Sequence, residues 1–359
     1  MPLIGLNISG NPISDLGPLR GMKLGTLICE NCPVEDIEPI RDMPLTLLNL
    51  SGCRITSIEP LRGMQINFLA CSCNPFGTLE PLTDMQSLVG IHCSACNLES
   101  LEPLRGLPVS SINCSGNAIR SLEPLSDMPL TVLHCCDNKI EDLEPLRGLQ
   151  LKMLSCHANK VKSLEPLAGM PLVSLICGQN PLTSVSEFED DPPDDFRFDC
   201  DGIPDADLEH LLAKWSPVPE FVIHVQNLRV LLALRKNDMK ELRSLSSEFE
   251  GHHVLFIPKF LCWEEAEAFC RKLGGHLITI ASREKNEFVD TLFPNGTWAW
   301  MGLYTRSGGH EWVTGEPFEY ANFVDPIHEH RLGPKIFSSR WTCDDAPNPH
   351  NSFIIEWDD

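Results

Sequence analysis

The sequence repeats itself at a step of 21 residues, with a single step of 22, and this period constrains the fold more than any other feature. A regular unit is LTVLHCCDNKIEDLEPLRGLQ, residues 130–150, with apolar residues at positions 1, 4, 6, 11, 14, 17 and 20. Burying about six side chains gains roughly 1.5–3 kcal/mol each, which does not offset a backbone cost of about 1–2 kcal/mol per residue. Single units therefore cannot fold alone, and we expect them to stack into an array with one short parallel strand each. The nine units begin at Leu3, Leu24, Leu45, Ile66, Leu88, Val109, Leu130, Leu151 and Leu172.

The unit resembles a leucine-rich repeat of the kind found in bacterial internalins. The resemblance rests on the spacing L-x-x-L-x-L-x-x-N-x-I and covers residues 1–188. It implies a solenoid, a bacterial protein, and a partner bound on the concave face, which we define as the second, third and fifth positions of each unit.

Cysteine occupies inward positions of the repeat. The sixth position points into the narrow interior, where cysteine acts as a small hydrophobic residue. The ninth position is usually asparagine, with Cys32, Cys53 and Cys96 as substitutes. Neighbouring strands about 4.8 Å apart lie within disulfide range, so spacing leaves bonding open, whereas a reducing compartment excludes it. We expect core thiols without metal or redox chemistry. The sixth-position cysteines are Cys29, Cys71, Cys93, Cys114, Cys135, Cys156 and Cys177.

The concave face is predicted to be nearly uncharged and mildly apolar. Such a surface suits a protein partner better than a charged small molecule. His92 and His134 share one column of this face, and solvated or partner-contacting histidines are favoured there over zinc ligands. The candidate partner-binding residues are Asn49, Phe68, His92, Asn113, His134, Met153 and His157.

Charge and hydropathy argue against several partners. Lys plus Arg number 28 against 50 Asp plus Glu, and the net charge of -22 repels nucleic acid and anionic membrane surfaces. No run of 18 apolar residues occurs, and the first residues lack the pattern of a signal peptide. We therefore expect no nucleic acid partner, no membrane association and a cytoplasmic location.

The repeat pattern ends at Phe188, and two further segments follow. Residues 189–250 open with the acidic stretch EDDPPDD and continue in helical periodicity from Asp205 to Phe249, with Asp238 as a helix N-cap. This segment is interpreted as an acidic linker and a helical cap or spacer. Residues 251–359 form the third predicted domain.

The third domain resembles a C-type lectin domain. The resemblance rests on the block from Trp263 to Phe288, the Trp300–Leu303 core, Glu311–Pro317 and the closing Phe353–Trp357. The fold class is thus α/β and α+β: a leucine-rich repeat solenoid, a short helical spacer and a C-type lectin-like domain.

Departures from the family pattern bear on function. The resemblance implies that Cys270 would pair with a cysteine in the last strand, but Ile355 stands there, which agrees with a reduced protein. The E-P-N, Q-P-D and W-N-D motifs that hold calcium in sugar-binding members are absent. We expect no metal and no cofactor, although remaining acidic residues leave a different calcium site open. The candidate ligand-loop residues are Asp325, Glu329, Asp344, Asp345 and Asn348.

No catalytic constellation is evident, so we expect a recognition or scaffold protein rather than an enzyme. It would bind a protein through the concave face and a further ligand through the lectin-like domain. One alternative is a carbohydrate-binding lectin. Another is a regulatory fragment of a larger bacterial serine/threonine kinase, although no kinase motif occurs in this sequence.

Overall fold

The computed structural model describes residues 3–292, 299–306, 309–316, 318–322, 334–337, 340–343 and 351–358. The chain divides into two compact units, Met1–Arg197 and Phe198–Asp359. Each unit has its own sheet and core.

The first unit is a stack of parallel strands in one sheet, joined in sequence order. This confirms the repeat architecture, with one strand in each of the nine repeats. A short 3-10 turn follows each of them, and eight of these nine turns contain a proline at their start. The strands are β1 (Gly5–Asn7), β2 (Thr26–Ile28), β3 (Leu47–Asn49), β4 (Phe68–Ala70), β5 (Gly90–His92), β6 (Ser111–Asn113), β7 (Val132–His134), β8 (Met153–Ser155), β9 (Ser174–Ile176) and β10 (Asp195–Arg197).

The last strand of this sheet, β10, lies beyond the nine predicted repeats. Asp195–Arg197 pairs in parallel with Ser174–Ile176 and continues the register of the array. Phe196 is buried at the position that leucine holds in the repeats. The sheet thus extends past residue 188, into the segment that was interpreted as an acidic linker.

The interior of the array contains the predicted cysteine column. All seven sixth-position cysteines are buried, which confirms their inward orientation. Fifteen cysteines in the described part of the chain form no disulfide. Burial raises the pKa of the Cys93 and Cys135 thiols well above the usual range, so these groups remain protonated and unreactive.

Side chains at the ninth position link successive repeats by hydrogen bonds to the backbone. The Asn159 amide donates to the carbonyls of Cys135 and Cys156, each at 3.0 Å, and its oxygen accepts from the Ile140 backbone N–H at 3.0 Å. At the same position in an earlier repeat, the Cys53 thiol donates to the Cys29 carbonyl at 3.0 Å. Cysteine therefore preserves the hydrogen bond that asparagine at this position donates to a carbonyl of the preceding repeat.

The orientation of the strand residues predicts contrasting effects of two adjacent substitutions. Cys135→Ser places a hydroxyl in an apolar column and is expected to destabilise the array by about 1–3 kcal/mol. His134→Ala changes the opposite face and should alter stability by less than about 0.5 kcal/mol. Urea unfolding of both variants measures the difference. Equal losses of stability would contradict the assignment of Cys135 to the inward face and His134 to the outward face.

The second unit begins with three helices, α1 (Asp205–Trp215), α2 (Val222–Arg235) and α3 (Met239–Leu245). The Asp238 side chain accepts from the Glu241 backbone N–H at 3.0 Å, which confirms the predicted N-cap. Val230 and Ala233 of α2 and Leu242 of α3 belong to the same buried cluster as residues of the C-terminal sheet. The boundary expected at residue 250 therefore has no counterpart in the packing, because these helices share one core with the domain that follows.

The C-terminal part of this unit is a mixed sheet flanked by two helices. The elements are β11 (Ser247–Phe249), β12 (His252–Leu261), α4 (Trp263–Lys272), β13 (His276–Leu277), α5 (Arg283–Asp290), β14 (Ala299–Trp300), β15 (Leu303–Arg306), β16 (Gly309–Trp312), β17 (Pro334–Phe337), β18 (Arg340–Cys343) and β19 (Asn351–Trp357). The strands of the sheet are ordered β11-β12-β19-β14-β17-β18, β13 pairs with β19, and β15 and β16 form a separate hairpin.

Apolar side chains pack at the position where the resemblance to C-type lectin domains implies a disulfide. Cys270 of α4 and Ile355 of β19 are both fully buried members of one core cluster. A branched aliphatic side chain buries apolar surface at this place without needing an oxidised partner. The fold is therefore held by its core and its sheet pairing at this point.

Candidate functional site

Strand register brings most of the predicted partner-binding residues onto one face of the repeat sheet. In the fifth-position column, His92 is paired with Asn113 and Asn113 with His134. Asn49 precedes them in the same column, separated from His92 by Ala70. Phe68 and Met153 occupy the third-position column, and His157 lies two residues beyond the end of β8.

Phe68 occupies a space that the neighbouring strand leaves open. Its ring contacts the His92 imidazole edge to face, with 5.0 Å between ring centroids and 78° between the ring planes. A Cβ atom at Gly90 would lie only 2.8 Å from the Phe68 ring. The missing side chain at Gly90 therefore lets Phe68 lie across β5 and form an aromatic pair on the concave face.

The centre of the concave face is polar but uncharged near neutral pH. Burial lowers the pKa of His92, and burial together with the nearby charge of His92 lowers that of His134. Asn113 lies between them, and its oxygen accepts from the Ser94 hydroxyl at 2.8 Å and the Ser115 backbone N–H at 3.2 Å. Both imidazoles are thus neutral at pH 7.

Charged groups are segregated away from these strands. No Asp, Glu, Lys or Arg occurs in β1 to β9. The 3-10 turns carry the exposed pairs Glu38–Arg41, Glu59–Arg62, Glu102–Arg105 and Glu144–Arg147. Apart from the exposed Lys152 at the second position of the eighth repeat, the concave face is therefore a neutral strip on a strongly acidic chain.

The predicted ligand loop cannot be described in the same way. Asp325, Glu329, Asp344, Asp345 and Asn348 lie outside the described residues. Their proposed role stays a prediction from the sequence.

The C-terminal domain also contains an ionic cluster that the sequence patterns did not predict. The Asp358 Oδ1 atom lies 2.9 Å from His252 Nδ1 and 3.4 Å from His276 Nε2. The Glu356 carboxylate, almost fully buried, accepts from the Lys285 ammonium at 2.6 Å and the Thr279 backbone N–H at 3.1 Å. No spacing rule connects these residues, because three separate parts of the chain supply them.

No helix in the described part of the chain combines the length and the apolar character that a bilayer crossing requires.

Comparison with known sequences supports the assignment of the C-terminal domain. Residues 260–348 match the model of the lectin C-type domain. The alpha polypeptide of the snaclec bitiscetin, from Bitis arietans, is 33% identical over 120 residues, which cover 31% of this chain and 90% of that protein. A snaclec polypeptide of the coagulation factor IX/factor X-binding protein, from Gloydius halys, is 34% identical over 98 residues. This match covers 24% of the present chain and spans only 64% of that relative.

Comparison with solved structures supports the assignment of the repeats. An internalin from Listeria monocytogenes has a similar structure, with a TM-score of 0.53 and 22% sequence identity. The match covers 58% of this chain and 71% of the internalin. Together, these similarities show that the chain joins a repeat array with the internalin leucine-rich fold to a C-terminal domain through which it belongs to the C-type lectin family.

Proposed function

We propose that this protein is a non-catalytic recognition protein that binds a protein partner through its concave face and a second ligand through its lectin-type domain. The observation that carries the first part is the neutral strip of β1 to β9 on a chain with a net charge of -22. Protein interfaces exclude charge from their centre and favour aromatic residues and methionine there. Phe68 and Met153 supply such side chains.

We also propose a cytoplasmic location. It is supported by fifteen cysteines of the described part that form no disulfide and by the aliphatic residue Ile355 where related domains form one. A protein with this many thiols is suited to a reducing compartment.

Phe68→Ala tests the protein-binding proposal. We expect it to weaken partner binding by about 30-fold, corresponding to roughly 2 kcal/mol for an aromatic anchor at an interface centre. Gly90→Ala should weaken binding less, because the new methyl group displaces the Phe68 ring without removing it. Proteins captured from extracts of the source cells by wild-type and variant chains would be quantified by mass spectrometry, and the affinity of the captured partner then measured with purified components.

The matched control is Arg62→Ala, which alters an exposed pair on a 3-10 turn. It should retain the partner, and all three variants should melt like the wild type. Equal loss of binding in the Arg62 variant would place the interface elsewhere, and full retention by Phe68→Ala would contradict the proposal.

A carbohydrate ligand is the second candidate, favoured by the match of residues 260–348 to the lectin C-type domain. A glycan array probed with the full chain, in calcium and in chelator, separates the two candidates. Binding that requires calcium would identify a lectin of the usual kind. Our proposal expects no calcium-dependent glycan binding, since the E-P-N and W-N-D motifs are absent from the sequence.

A further inference from the structure

Four side chains of types that bind metals converge at the end of the last strand of the C-terminal sheet. Both β12 and β13 pair with β19, so that His276 lies opposite Glu356 and His253 opposite Trp357. This pairing brings His252 close to the carboxylates of Glu356 and Asp358, and His276 close to that of Asp358. The donor atoms of His252, Glu356 and Asp358 all lie within 4.8 Å of one another.

The orientation of His276 limits what can join its imidazole to the Asp358 carboxylate. Its Nδ1 atom lies 2.9 Å from the Leu277 carbonyl oxygen, which can only accept, so Nδ1 carries the proton. In a neutral imidazole, the lone pair of Nε2 then faces the Asp358 carboxylate at 3.4 Å. Two acceptors at this distance need a cation between them, either a proton or a metal ion. A backbone carbonyl bound to the distal ring nitrogen is the usual arrangement for a histidine that binds a metal.

The separations of the donor atoms also suit a small divalent metal. Ligands placed about 2.0–2.2 Å from a tetrahedral zinc ion lie about 3.3–3.6 Å from one another. Asp358 Oδ1 is 2.9 Å from His252 Nδ1 and 3.4 Å from His276 Nε2, and Glu356 Oε1 is 3.6 Å from His252 Nδ1. Each of these three separations lies within about 0.4 Å of that range.

We propose that the C-terminal domain binds one transition-metal ion of the zinc class through His252, Glu356 and Asp358, with His276 beside Asp358 as a further nitrogen donor. Lys285 neutralises Glu356 and thereby limits the negative charge of the site. A set with two imidazoles disfavours calcium, which takes six to eight oxygen ligands. The site goes beyond the recognition role, since it would clamp the last strand of the domain to β12 and β13.

The test uses the full chain and cobalt(II) as the probe, after removal of bound metal with a chelator. Tetrahedral cobalt gives visible absorption bands, and thiolate ligands would add a separate charge-transfer band. We expect one equivalent to bind without the thiolate band, and zinc to displace it. Asp358→Asn and His252→Gln should each weaken cobalt binding at least about tenfold, whereas the control His210→Gln, on α1, should bind like the wild type.

The two ligand variants are informative because their side chains are partly exposed, 62% for Asp358 and 38% for His252, so that the fold does not depend on them. Melting of each variant in chelator checks this directly. Absence of cobalt bands would show that a proton alone joins His276 to Asp358 and would overturn the proposal. Unchanged affinity in both variants, a thiolate band, or a response to calcium alone would also overturn it.

Discussion

Replacing Asn159 with alanine is expected to lower the free energy of unfolding of the repeat array by about 3–5 kcal/mol. The side chain is buried and joins two repeats by donating to the Cys135 and Cys156 carbonyls and accepting from the Ile140 backbone N–H. Alanine supplies neither donor nor acceptor, so these buried backbone groups lose a partner that water cannot replace. Chemical denaturation followed by circular dichroism measures the loss.

Two further variants show how much of this loss of stability depends on burial and on hydrogen bonding. Asn11→Ala changes the same repeat position where it is exposed, and should cost less than about 1 kcal/mol. Asn159→Cys should fall between the two alanine variants, because Cys53 keeps one bond to a carbonyl at the equivalent position. Equal losses of stability in Asn159→Ala and Asn11→Ala would show that a buried asparagine at this position contributes no more to stability than an exposed one.

Lys285→Met is expected to destabilise the second unit by about 3–5 kcal/mol when measured in chelator. The Glu356 carboxylate is almost fully buried, and Lys285 Nζ lies 2.6 Å from its Oε1 atom. Removing the ammonium leaves a buried negative charge without its cation, and the cost of desolvation is then uncompensated. Thermal melting with a tryptophan signal reports on this core, since Trp263, Trp300 and Trp357 belong to it.

The double variant Lys285→Met, Glu356→Gln separates the charge effect from packing. Removing both charges should restore most of the lost stability, because a neutral pair needs no compensation. Arg283→Met breaks the exposed Arg283–Glu287 pair on the same helix and should change little. A double variant as unstable as the single one would show that Lys285 acts through its aliphatic stem rather than its charge.

Local sequence patterns were sufficient to predict the repeat array in detail. Each repeat contacts mainly the next one, so inward and outward positions follow directly from a 21-residue pattern. The buried column from Cys29 to Cys177 and the outward column with His92, Asn113 and His134 were both predicted on this basis. In the second unit, the N-cap at Asp238 also follows from a local signal, since capping needs only neighbouring backbone groups.

Features that depend on contacts between distant residues could not be predicted from local patterns. The strand Asp195–Arg197 forms because the preceding strand offers free backbone groups, although its sequence lacks the leucine and asparagine of the repeat. Helices α2 and α3 join the C-terminal core through contacts that no local period encodes. His252 and Asp358 are about a hundred residues apart and meet because the antiparallel pairing of β12 with β19 closes the domain. Periodicity reports which face of an element is apolar, whereas the packing of elements decides which polar groups come together.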